Sequence, residues 1–198
     1  MVTMTALEMG LIAVALLLFA GVMVMLVRNR HRARLRAQFG PEYDRTVRDA
    51  GGRRRADAAL DARARRVATF DIRPLKPYQR EEFVLVWRQV QEKFVDDPAG
   101  AVDHADVLLG EVMVARGYPV TDFENRAADL SVDHGEVVQN YRAGHAIALS
   151  HARSEATTED LRHAMIHYRA LFDELVNEPS AIEALSPRHD MPGERIRH

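Results

Sequence analysis

The strongest pattern in the chain comes first. Met9 to Val27 reads MGLIAVALLLFAGVMVMLV, nineteen positions without a charge. As a helix this stretch spans roughly 28 Å, close to the hydrocarbon thickness of a bilayer. A cleaved signal peptide is the competing reading. It requires a positive segment before the apolar run and a small-residue cleavage site after it. Here MVTMTALE precedes the run without Lys or Arg, and RNRHRARLR follows it. Arginines stay on the cytoplasmic side of a span. The flanks therefore predict an uncleaved transmembrane helix over 9–27, with 1–8 on the extracytoplasmic side and everything from 28 onward in the cytoplasm.

Beyond residue 28 the hydrophobic spacing is helical throughout, and no alternating strand pattern occurs. Gly40-Pro41 interrupts a basic helix, and a short helix follows to about Ala50. Gly51-Gly52 ends it. An Arg/Ala-rich helix covers 53–70 with a narrow apolar side of Ala56, Leu60, Ala64 and Val67, the profile of a stalk more than of a core element. Pro74 and Pro77 then break the chain, and the domain boundary is placed there. After Tyr78 a broader face appears, with Phe83, Trp87, Val90 and Phe94 at helical spacing. Further helices are predicted over 98–116, 122–130, 134–152 and 158–176. Their inward positions are Ala101, Ala105, Leu108 and Val112, then Val137, Val138, Tyr141, Ala148 and Ala152, then Leu161, Met165, Tyr168, Phe172 and Leu175. Residues 177–198 carry three prolines and few bulky apolar groups, and are expected to be a disordered tail.

The predicted fold class is all-α: a transmembrane helix, a basic juxtamembrane helical stalk over 28–71, and a small cytosolic helical bundle over 72–176. Phe83, Trp87, Phe94, Tyr141, Tyr168 and Phe172 should supply much of the bundle core, at roughly 1.5–3 kcal/mol per large apolar side chain.

Charge sharpens this division. Residues 28–66 hold thirteen arginines and five carboxylates, a net +8, whereas 67–198 carry a net −9. A basic stretch beside an acidic body predicts different neighbours for each. Arg28, Arg30, Arg32, Arg34, Arg36, Arg53, Arg54 and Arg55 are the expected contacts to anionic membrane lipid. Nucleic acid is not an expected partner, because the basic stretch lies against the bilayer. The absence of cysteine excludes disulfides, thiolate metal sites and thiol nucleophiles.

Candidate chemistry is sparse. No phosphate-binding glycine loop, G-x-S-x-G or H-E-x-x-H is present. The acidic clusters FVDDPAGAVDHAD and SVDHGE invite a metal or acid–base reading, but their carboxylates sit where helix starts need them. Asp97 before Pro98 is an N-cap, and Thr121/Glu124, Asp133/Glu136 and Thr157/Asp160 have capping-box spacing. Projected on a helix, Asp103 and Asp106 fall opposite the apolar face and should be solvated, with His104 at the edge of that face. His163 and His167 have metal-clasping spacing, yet project away from the core side. His145 projects into it, where a histidine usually has a structural partner. No cofactor or metal is expected.

The motifs FGPEYDRTV, FVDDP, RGYP, LSVDH and TEDLR, in this order over about residues 35–176, resemble a family of small membrane-anchored bacterial proteins without an established activity. The resemblance implies a membrane anchor but no activity, and supplies no catalytic residues; with the arginine flank, the expected location is the bacterial inner membrane. The leading expectation is a non-enzymatic adaptor that presents the bundle to a protein partner. The alternatives are a metal-dependent or acid–base enzyme using the His104/Asp106 or His145 region, and an envelope-stress regulator. Ala6-x-x-x-Gly10 offers a small-residue contact for a possible homo-oligomer.

Overall fold

The computed structural model describes residues 6–119 and 121–177. The tail expected over 177–198 lies outside these except for Asn177, which ends the last helix, and the first five residues lie outside them too. Among the described residues there are eight helices and no strand: α1 (Ala6–Phe39), α2 (Pro41–Asp49), α3 (Arg53–Val67), α4 (Pro77–Lys93), α5 (Pro98–Ala115), α6 (Phe123–Leu130), α7 (Val138–Ala152) and α8 (Thr158–Asn177).

Helix ends follow local chemistry. Asp97 caps α5, its carboxylate accepting from the Gly100 N–H at 2.9 Å, with Pro98 in the first turn. Asp160 and Thr157 close a reciprocal box at the start of α8. Two expected caps differ. At α6 the cap is Asp122, one residue after Thr121, because its carboxylate reaches the Asn125 N–H at 3.0 Å. The Asp133/Glu136 box does not form, since residues 131–137 make turns and α7 begins only at Val138. Asp133 instead lies 3.5 Å from the Tyr118 hydroxyl. Gly117, in the RGYP turn, adopts φ +98°, and a Cβ there would come within 2.0 Å of the Asp71 carbonyl oxygen. Glycine alone meets both demands.

The main core lies between α4, α5, α7 and α8, with α5 and α8 packed face to face and α4 and α7 flanking them. Trp87 stacks on Phe172 at 4.6 Å, and Tyr141 tilts against Tyr168 at 6.0 Å. Nearly all the inward positions expected from periodicity lie in or against this core. Ala152 is the exception: it ends α7 in solvent.

The segment expected to be a stalk is packed. Leu35 and Phe39 at the end of α1, Tyr43 of α2, Leu60 and Val67 of α3, and Val132 form a second core. Phe70 and Ile72 contact both cores, so the hydrophobic packing runs straight through the boundary placed at residue 72. The narrow apolar side of α3 is narrow because it covers a small satellite core.

Candidate functional site: the basic collar and its junction with the bundle

α1 changes character along its length. From Val14 to Val27 its large apolar side chains are exposed, Leu17 at 74%. One face of its last turns is buried, Leu35 at 4% and Phe39 at 0%. By length and composition the helix can cross a membrane. An exposed apolar sleeve of this size needs a non-aqueous neighbour.

The arginines begin where the sleeve ends. Arg32 donates to Asp57 of α3 at 3.1 Å, and His31 lies 3.0 Å from Asp61. Further along α1, the Gln38 amide donates to the Val132 carbonyl, while Arg63 of α3 donates to the neighbouring Ser131 hydroxyl. These contacts seat the end of α1 against α3 and against the turn at 131–132.

The eight predicted lipid contacts divide accordingly. Arg28, Arg30, Arg34, Arg53, Arg54 and Arg55 are exposed and have no ion-pair partner among the described residues. Arg32 is committed to Asp57, and the Arg36 guanidinium lies over the Tyr43 ring at 5.1 Å. The first six, three just past the apolar run of α1 and three in the first turn of α3, are termed the collar. The other two fasten α1 to α3 and to α2.

A buried carboxylate holds the collar helices to the bundle. Glu42, 1% exposed, accepts from Arg142 at 3.1 Å, Gln139 at 3.0 Å and Arg63 at 3.4 Å. Arg142 also donates to Glu124 at 2.7 Å. Arg66 of α3 pairs with buried Asp129 of α6. Burial pulls the Arg63 guanidinium below its usual value, with Glu42 opposing. Sequence reasoning missed Glu42. Its signal was an acid in the first turn of a short helix in an Arg-rich region, which is also what a plain helix-dipole partner looks like.

The acidic cluster SVDHGE closes the other side of this junction. A Cβ at Gly135 would approach the Phe39 carbonyl oxygen to 2.6 Å, so glycine permits the end of α1 to lie against this turn. His134, 5% exposed, has Nδ1 3.3 Å from Glu174, with Arg116 and Asp133 also acting on it. Burial pushes its imidazole below the usual value, and Glu174 opposes this.

The residues singled out for acid–base chemistry are only partly brought together. His104 is exposed on α5. Asp106 is not solvated as expected: it faces inward, 3.5 Å from Arg126, beside buried Tyr141 and Tyr168. Helical projection misplaced it because both α7 and α8 pack against α5, which widens its covered face beyond the apolar stripe, and the Arg126 side chain reaches across from α6. Burial, and then the Asp106 charge, pushes both phenols above their usual value. His145 stacks on Phe123 at 3.5 Å, and burial lowers its pKa, with Asp106 opposing and Arg126 assisting. His163 sits 3.4 Å from Glu159 in solvent, whereas half-buried His167 turns to Asn140 of α7 at 2.9 Å. Among the described residues no three His, Asp or Glu side chains converge to hold a metal ion.

Comparison with known proteins adds no relative: no protein-family model matches this chain, and neither the curated proteins nor the solved structures contain a match.

Proposed function

We propose that this chain is a single-span protein of the bacterial inner membrane, with its N-terminus outside and a cytoplasmic helical domain, acting as a non-enzymatic adaptor for a protein partner. One observation carries the reading: α1 is an uninterrupted helix whose apolar part is exposed from Val14 to Val27 and whose last turns pack one face, Leu35 and Phe39, into the domain. A membrane span continued in this way holds the domain at a set height and angle. The exposed arginines of the collar then face anionic headgroups, while the acidic body faces away. The adaptor role is supported by how the polar clusters are engaged. Asp97, Asp122, Asp160, Glu42, Asp129 and His134 all serve caps, ion pairs or helix junctions.

Reporter fusions after Val176 test the topology. A cytoplasm-active reporter should work there and a periplasm-active one should be silent, and the reverse result refutes the orientation. Cross-linking in cells tests the adaptor role, with a specific partner lost when the anchor is replaced by an unrelated span. Stoichiometric metal in the purified protein, lost on His145→Ala, would support the enzymatic alternative instead.

A further inference from the structure

Where its apolar run meets the first arginines, α1 carries a shallow hollow of about 270 Å³ lined by Gly21, Val24, Met25, Arg28, Asn29 and Arg32. These positions recur at three- and four-residue steps, so they form one stripe along the helix. The stripe is divided. Its lower half is apolar, and Gly21 leaves a notch where a Cβ would meet only open space. Its upper half is polar. There Arg32 is taken by Asp57, which leaves Arg28 as an unpaired cation beside the Asn29 amide.

We propose that this hollow binds one anionic glycerophospholipid, its phosphate against Arg28 and Asn29 and an acyl chain in the notch at Gly21. The inference rests on the membrane-anchor reading above. Gly21 and Arg28 are about 10 Å apart along the helix, the span of a glycerol backbone and the upper part of a chain. The hollow also lies where the uncharged run ends, the level of the headgroups. A second copy fits this stripe less well. Parallel spans meeting through Gly21 would bring two Arg28 guanidinium groups together at the edge of the hydrocarbon, where like charges repel strongly.

The test uses the full chain, extracted in mild detergent from membranes containing phosphatidylglycerol and phosphatidylcholine, with retained lipid counted by native mass spectrometry. Wild type should retain one phosphatidylglycerol per chain in preference to phosphatidylcholine. Gly21→Leu, which fills the notch, and Arg28→Gln should each lower retention about fivefold or more. Helicity and membrane insertion should be unchanged. Excess inorganic phosphate should not displace the lipid; displacement would mean that the site reads phosphate alone and would overturn the proposal. Equal retention by the variants would overturn it too, as would a wild-type dimer that Gly21→Leu converts to monomer. Release of wild type from membranes by alkaline washing would refute the anchor reading itself, a result distinct from an inserted chain that holds no lipid.

Discussion

Glu42 shows how much one residue decides in this molecule. Its carboxylate is removed from water and surrounded by Arg63, Arg142 and Gln139. A buried ion pair adds little net stability over a well-packed apolar group, but removing one partner leaves the others buried and uncompensated. Glu42→Gln should therefore cost about 3–5 kcal/mol, measured by denaturant unfolding of the detergent-solubilised chain. A change within about 0.5 kcal/mol, the size of an ordinary surface substitution, would show that the cluster opens to water. His134 and His145 act on stability through pH. Burial lowers both pKa values below the ordinary 6.5, so the unfolded chain binds protons first as pH falls. Their contribution is complete above pH 6.5 and is lost as pH drops from there through the folded-state values. The unfolding midpoint should fall in that acidic window, and His134→Gln combined with His145→Gln should flatten the profile. An unchanged slope in the double variant would assign the pH response to other groups.

At the scale of elements, existence and type were legible in the sequence because both depend on neighbours a few residues away. The 3.6-residue spacing of Leu161, Met165, Tyr168, Phe172 and Leu175 is sufficient to specify α8 and its buried face. Asp97-Pro98 specifies where α5 starts. The start of α7 was misplaced because the spacing of Asp133 and Glu136 suits a cap while the turn around Gly135 serves α1 instead. That service is testable. Gly135→Ala would press a methyl group into the Phe39 backbone, with no flexible side chain to give way. The expected cost is about 1–3 kcal/mol, read as a lowered unfolding midpoint and faster proteolysis within 40–71. An unaffected midpoint would mean that α1 is not seated on the turn.

For the whole molecule, the second core makes the end of α1 part of the domain. A fragment beginning at residue 72 lacks Leu35, Phe39, Leu60 and Val67 and leaves Asp129 and Arg142 without Arg66 and Glu42. It should unfold at lower temperature and less cooperatively by calorimetry than a fragment of 28–177. Equal midpoints would restore the picture of an independent bundle on a stalk. The sequence alone determined the apolar run, the arginines that follow it, the helical class and most inward positions, since each is a property of composition or of spacing within one helix. The tertiary structure alone decided that α2 and α3 fold back onto the bundle, which arginines stay free for the collar, and that Asp106 faces inward. Those outcomes depend on partners far apart in the chain, Glu42 with Arg142 across 100 positions and Arg63 with Ser131 across 68. No local pattern encodes which of many arginines meets which carboxylate, because that choice is made by the packing of apolar faces that bring them together.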